Sequence, residues 1–354
     1  MMEVTEQREK EQQVQEQEQS SLRKMQPHKG EPAGIKKASL IQRIITGAIF
    51  AFVMLAAIIF GNHSIVLPLF CVLIAILGAR EFYRLVRPEM RKFPKAVGAI
   101  LASTLPLVAY FSLHGYILDF PSYMFTSWYG TIAVPSATET SLSLLASAVF
   151  LSFIVYILWM AVTPDSKIAD ITAGLFGALY LGIPLMCLVL ISAFSGFSQS
   201  ILQGFPTLTI AAVISIWATD SFAYLGGSLF GRHKIAPVIS PKKSWEGLIA
   251  GTLGAIVAWY AVYAIFCPRG DFSVGLLEAV FMGIIVSLAS LAGDLFESRL
   301  KREAGVKDSG TLLPGHGGVL DRLDSLFFVL PVIFFLVIVL DYIFLIDVGI
   351  WTLL

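Results

Sequence analysis

Charge is scarce in this sequence. Only 14% of residues are charged and 56% are hydrophobic, whereas a soluble domain carries about 25% charged residues. That balance excludes an ordinary soluble chain. Cysteine is nearly absent as well. Cys71, Cys187 and Cys267 are odd in number, form no CxxC or His/Cys spacing, and lie in or beside apolar runs. They read as packing residues rather than a disulfide or metal framework. No apolar run follows a short basic start in the first 30 residues, so no secretory signal is expected. No internal repeat is visible, which weakens a transporter reading, since many transporter folds are built from repeats. The formal net charge is zero, and no nucleic-acid partner is expected.

What the chain does have is long apolar runs. Residues 1–38 stand apart as a Glu/Gln-rich segment with too little apolar surface to fold alone, and a disordered cytoplasmic tail is expected there. From 39 to 354 we expect an all-α, polytopic membrane-embedded domain with about nine spans. They run roughly over 44–60, 64–77, 96–113, 141–162, 168–191, 208–229, 247–266, 274–293 and 326–346. Basic residues test the count, because Lys and Arg concentrate in cytoplasmic segments. With the N-terminus inside and the C-terminus outside, all but one of the 25 Lys and Arg fall inside, Arg269 being the exception. A miscounted span would scramble that pattern. The expected location is therefore a plasma (bacterial inner) membrane, with the loop at 298–324 facing the cytoplasm.

That loop reads SRLKREAGVKDSGTLLPGHGGVLDRLD. It gathers nine charged residues, one His and five glycines between two apolar spans. Just before it stands Asp294. If the eighth helix continues past the bilayer edge, Ser298 and Lys301 lie at i+4 and i+7, on the face of Asp294. These three alone would also suit a solvated helix end. Lys307-Asp308 then leads into Pro314-Gly315-His316-Gly317-Gly318, where Gly-rich backbone can approach phosphate oxygens. Asp321-Arg322-Leu323-Asp324 follows, with Asp321 and Asp324 sharing a face if the last helix starts early. An ordinary cytoplasmic loop needs cations but not four aspartates. Carboxylates beside Lys and Arg are what metal-dependent phosphoryl or nucleotidyl transfer needs. Hard cations such as Mg²⁺ take oxygen ligands, and basic groups offset charge on phosphates.

A second loop, SPKKSWEG at 240–247, supports the first. Lys242 and Lys243 could hold a phosphate or a lipid headgroup, or serve only as positive-inside residues. Asp220 lies within the sixth span. A carboxylate inside the bilayer is costly and is a functional candidate by default, unless it sits at the aqueous edge. Glu278 and Asp341 receive no role. His316 reads equally as a phosphate donor, an acid/base group or a turn residue. No residue reads as a cytosine pocket.

The loop resembles the signature of the phosphatidate cytidylyltransferases, or CDP-diacylglycerol synthases. Ser298, Lys301-Arg302, Lys307-Asp308, Pro314, His316-Gly317-Gly318, Asp321-Arg322 and Asp324 fill every defined position of that long pattern at the right spacing. The SPKKSWEG loop, the DSFAY segment from Asp220 and LIQRIITG before the first span also look like the family's. The resemblance is strong over about 215–330, weaker over 40–214, and does not reach the tail. It implies an enzyme at the cytoplasmic face joining CTP to phosphatidic acid, a generally dimeric assembly within membrane lipid, and a catalytic half at about 207–346. It implies that Asp294 and Asp321 bind Mg²⁺, with or without a second cation. On that reading Lys301, Arg302, Lys307 and Arg322 line the triphosphate, while Asp308 and Asp324 complete or orient the site. Ser298, Gly317, Gly318, Lys242, Lys243 and Asp220 would contact substrate. A CTP-dependent polyprenol or dolichol-type lipid kinase is the nearest alternative, and an anion transporter a more distant one. The DGxxAR-type motif of the CDP-alcohol phosphotransferases is absent.

Overall fold

A computed structural model of the chain describes residues 37–61, 64–113, 137–193, 206–266, 276–312 and 317–351. The chain divides into Met1–Ile41 and Gln42–Leu354. The described part of the first unit is only the beginning of a helix, and all that follows concerns the second. The expected disordered tail lies outside the described residues.

A chain this apolar has little choice of structure. Without water, each backbone N–H and C=O must be satisfied internally, and the α-helix does so within one segment. Nine helices are described: α1 (Lys37–Gly61), α2 (Val66–Val86), α3 (Lys92–Leu113), α4 (Ala137–Val162), α5 (Ile168–Ala193), α6 (Thr207–Phe230), α7 (Trp245–Phe266), α8 (Leu276–Glu303) and α9 (Leu320–Trp351). Each overlaps one expected span. Among the described residues, α2 to α8 contain seven segments long and apolar enough to cross a membrane. The protein is an all-α polytopic membrane protein.

One non-helical element departs from that rule. Between α6 and α7, β1 (Lys234–Ala236) pairs antiparallel with β2 (Ser240–Ser244). The hairpin satisfies its own backbone in a stretch too short for another helix and carrying Pro237 and Pro241, which suit edges and turns. Glu246 braces it, accepting from the backbone N–H groups of Arg232 and His233 at 3.2 Å and lying 2.6 Å from His233 Nδ1. Ser244 caps α7 by accepting the Gly247 N–H at 3.2 Å, the usual work of a Ser at a helix start.

Burial runs outward, as expected in lipid. Phe52, Phe60, Leu151, Leu229 and Leu277 are exposed, while α5 is the most enclosed span: 72% of its apolar window is buried, against 11% for α4. Three polar ties fix the helices around α5. Tyr83 Oη donates to the Gly174 carbonyl at 2.9 Å, Arg87 Nε pairs with the buried Asp170 at 2.6 Å, and Tyr156 Oη donates to the Pro94 carbonyl at 3.0 Å. Small residues permit the closest approaches. A Cβ on Gly251 of α7 would meet the Thr219 carbonyl and the Ala223 methyl of α6, so α6 and α7 pack backbone to backbone, as small-residue interfaces allow in membranes.

Candidate active site

The two polar loops meet on α8. This helix does not stop at the expected bilayer edge near Gly293 but continues to Glu303. Asp294, Glu297, Ser298 and Lys301 are therefore helical neighbours at spacings of three and four, on one face. Helix α9 starts six residues before the expected span, at Leu320, so Asp321 and Asp324 also project from a helix. A Cβ on Gly293 would strike the Asp324 carbonyl, so the two helices touch beside the acidic residues.

Asp321 is held by four donors. Its Oδ1 takes Lys301 Nζ at 2.7 Å; its Oδ2 takes the Ser309 N–H at 2.8 Å, the Ser309 hydroxyl at 2.9 Å and the Gly318 N–H at 2.8 Å. A carboxylate has about four lone-pair sites, two on each oxygen, so Oδ2 is saturated while Oδ1 keeps one. Lys301 is shared: the same Nζ donates to Glu297 Oε2 at 2.7 Å. All three side chains are largely buried. Gly317 makes the turn possible. Its φ is +82°, and a Cβ there would collide with Asp321 Oδ2, so only glycine fits without strain.

Asp294 belongs to a second cluster. Its Oδ2 pairs with Lys243 Nζ at 2.6 Å and its Oδ1 accepts from Ser298 at 3.1 Å. Two lone-pair sites thus remain. The pair closes one side of a cavity of about 290 Å³ between α6, β2, α7 and α8, also lined by Asp220, Tyr224, Lys242 and Ser290. Ser290 lies 3.4 Å from Asp220. Asp324 feels the charge of both Asp294 and Asp220. The cavity thus combines two lysines with two carboxylates, beside the lipid-facing Phe222 and Leu225.

The expected site residues therefore divide. Lys242, Lys243, Asp220, Asp294 and Ser298 meet at this cavity. Lys301, Gly317, Gly318 and Asp321 form the adjoining buried network. Arg302 Nε reaches the Ile239 carbonyl at 3.4 Å and ties α8 to the hairpin. Lys307, Asp308 and Arg322 are exposed. His316 and Pro314 lie outside the described residues. Lys301 shares that helix face with Asp294 but does not pair with it: its partners are Glu297 and Asp321, and the cation on Asp294 comes from the hairpin.

Three residues here escaped the sequence reading. Glu297 sits three positions after Asp294 and four before Lys301, so the periodicity that linked those two already contained it. Ser309 was hidden inside the signature as an undefined position. Glu81 lay far away on α2. It is buried, and its Oε2 accepts the Leu320 N–H at 3.0 Å and lies 3.3 Å from Ser309 Oγ. It therefore caps α9 from another helix and touches the serine that holds Asp321. A Cβ on Gly310 or Gly318 would run into its carboxylate. Two polar atoms nearby, Glu297 Oε1 and Tyr180 Oη, are buried without a hydrogen-bond partner.

Comparison with known proteins agrees with the motifs. The model of the cytidylyltransferase family matches residues 41–340. The chain belongs to the cytidylyltransferase family. A phosphatidate cytidylyltransferase of Staphylococcus saprophyticus is 47% identical over 122 residues, 34% of this chain and 45% of that protein. Phosphatidate cytidylyltransferase 4, chloroplastic, of Arabidopsis thaliana is 32% identical over 308 residues, 77% of this chain and 70% of the relative. A phosphatidate cytidylyltransferase of Pseudomonas aeruginosa is 36% identical over 205 residues, 57% of this chain and 73% of the relative. Matched spans thus range from under half to about three quarters of these relatives' lengths.

Proposed function

We propose that this chain transfers CMP from CTP to phosphatidic acid, giving CDP-diacylglycerol and pyrophosphate at the cytoplasmic face of a membrane. The observation that carries the reading is the Lys243–Asp294 pair, which joins the two polar loops in one cavity at the edge of the lipid-facing surface. A substrate with acyl chains in the bilayer and a phosphate in water needs such a place. The family membership and the names of the relatives point the same way.

The chemistry asks little beyond positioning. The lipid phosphate oxygen attacks the α-phosphorus of CTP, a new P–O bond forms, and the bond to pyrophosphate breaks. A phosphomonoester has its second pKa near about 6, so the nucleophile is already largely deprotonated at neutral pH and no side chain is required as a base. What opposes reaction is the repulsion between two anions. Lys242 and Lys243 face the cavity, with Arg302, Lys307 and Arg322 around its mouth in this reading. Lys301 holds Asp321 and Glu297 in place. Asp308 and Asp324 orient those cations.

Among the described residues no three His, Cys, Asp or Glu side chains are grouped to hold a metal ion by themselves, so phosphate and water oxygens would complete the shell of a hard divalent cation. Asp294 keeps two open lone-pair sites, Asp220 lies in the same cavity, and Glu297 Oε1 is unpartnered. Asp321 could contribute through Oδ1, which takes the single donor Lys301. Asp294 and Asp321 would hold magnesium, alone or with a second cation, and the ion would offset charge on the phosphates. The inward orientation of the loops and a homodimer belong to the same proposal. Labelling of cysteines introduced at Lys307 and in the 115–140 segment tests the first, and light scattering of purified protein tests the second.

The decisive experiment follows pyrophosphate and CDP-lipid together, with purified protein, phosphatidic acid, CTP and Mg²⁺. Stoichiometric products, lost in Asp294→Ala and Asp321→Ala and on chelation, are expected. Release of CDP with phosphorylated lipid instead would replace the reading by a kinase, and no turnover by folded protein would remove it.

A further inference from the structure

A second cavity has no part in this reaction. It is about 520 Å³ in volume and lies between α2 and α3, where Arg80, Arg84 and Lys95 surround a floor that includes Tyr83, Ala96 and Ala99. It shares no lining residue with the cavity of Lys243 and Asp294. The sequence marks these cations only as positive-inside residues, a rule that requires cations near the membrane but not their convergence on one concavity.

Their neighbours are engaged and these are not. Arg87 pairs with Asp170, and Arg91 with Asp165. Arg80 and Arg84 lie among the same helical turns, are exposed, and carry no ion pair among the described residues. Of the carboxylates near them in sequence, Glu81 is buried and committed to Leu320 and Ser309, and Glu89, exposed beside Pro88, makes no ion pair with either arginine among the described residues. Lys95 Nζ donates one hydrogen bond, to the Pro88 carbonyl at 3.0 Å, and an ammonium has three donors. Tyr83 gives its hydroxyl to Gly174, so the floor presents its ring.

The surroundings are as informative. One turn away along α2, Ile76 is 43% exposed, and one turn away along α3, Ile100 is 62% exposed. The cations of the cavity thus adjoin exposed apolar side chains one turn further along both helices. That is the profile of an anionic lipid, in which a phosphate sits at the headgroup level and the chains lie along the helices. Arg supplies a fixed fork of donors suited to phosphate, and Lys a point charge beside it.

We propose that Arg80, Arg84 and Lys95 form a phosphate-binding site for the headgroup of an anionic phospholipid, separate from the active site. The shared chemistry is a phosphate group, and either a lipid or a soluble phosphate could supply it. The test uses full-length protein in detergent, with bound lipid counted by native mass spectrometry. Phosphatidylglycerol is the probe because it is not a substrate of the proposed reaction, and phosphatidylcholine is the zwitterionic comparison.

Each cation near an anionic lipid surface is worth about fivefold in affinity. The triple variant Arg80→Gln/Arg84→Gln/Lys95→Gln is therefore expected to hold phosphatidylglycerol on the order of 100-fold more weakly, with the temperature of unfolding unchanged. Arg84→Gln alone, a milder change, is expected to lose about fivefold. The control Lys167→Gln/Lys234→Gln/Arg299→Gln removes the same charge away from the cavity and is expected to retain the lipid. A parallel arm measures inorganic phosphate. Weaker phosphatidylglycerol binding in the cavity variants alone supports the lipid. Weaker inorganic phosphate binding with lipid retention unchanged assigns the same site to a soluble phosphate. Equal lipid and phosphate binding by wild type and cavity variants overturns the proposal, as does an equal loss in the control.

Discussion

Removing the Glu81 carboxylate separates a residue that positions the active site from one that merely stabilises the fold. In Glu81→Ala the Leu320 N–H loses its acceptor at 3.0 Å, and Ser309 loses one of its two carboxylate neighbours. An orphaned buried donor costs about 1–3 kcal/mol, and an uncapped helix about 1 kcal/mol. The losses overlap, because both count the same N–H. A destabilisation of about 2 kcal/mol is therefore expected. The larger effect is on Asp321, three of whose four donors come from Ser309 and Gly318, both packed against Glu81. In the proposed function Asp321 holds the cation, and partners one step behind a metal ligand typically matter about 10–100-fold in activity or metal affinity. Turnover per folded molecule should fall by that factor, and the Mg²⁺ concentration for half-maximal CDP-lipid formation should rise. Glu81→Gln keeps an acceptor for Leu320 and should recover much of the loss. The assay is a Mg²⁺ titration of product formation, normalised to the folded fraction from thermal unfolding. Wild-type turnover and midpoint in folded Glu81→Ala would refute the argument, because Asp321 would then be held without it.

Three further predictions follow from contacts elsewhere. Gly317→Ala places a Cβ at φ +82° against Asp321 Oδ2; strain of about 1–3 kcal/mol should appear as at least a tenfold loss of turnover, while circular dichroism stays helical. Lys243→Gln removes the cation on Asp294 and should raise the KM for one anionic substrate more than it lowers kcat, as read from initial rates at varied CTP and varied lipid. Arg87→Ala leaves Asp170 buried and uncompensated. It should destabilise by about 3 kcal/mol in thermal unfolding, with turnover per folded molecule unchanged, since this pair lies outside the site.

Much of this was legible because two strong rules act on a membrane chain. Apolar length fixes where helices can lie, and each described helix overlaps a span expected from hydropathy. The same rule mislocated the ends that matter most. Hydropathy stops at the bilayer edge, whereas hydrogen bonding carries α8 ten residues past Gly293 and begins α9 at Leu320. Helical spacing placed Asp294 with Ser298 correctly, because a local pattern determines local neighbours. It could not choose partners for Lys301, whose position between Glu297 and Asp321 depends on the docking of α8 against α9.

The hardest residue to foresee is the one that most clearly joins the two halves of the chain. Glu81 and Leu320 are 239 positions apart, and nothing local in AREFYRLV distinguishes a buried cap from one more charge at a membrane edge. Structure separates them by direction. On one helix, Arg80 and Arg84 open into a cavity beside the bilayer, while Glu81 turns inward to the start of α9. Burying that carboxylate is tolerable because it meets the Leu320 N–H at a positive helix end and the Ser309 hydroxyl. The same geometry leaves the two arginines without an internal counter-charge. One consequence can be measured directly: Glu81→Ala should alter Mg²⁺ activation but not phosphatidylglycerol retention, and the Arg80/Arg84/Lys95 variant should do the reverse. If either change moved both readouts, α2 would be coupling the two sites rather than separating them.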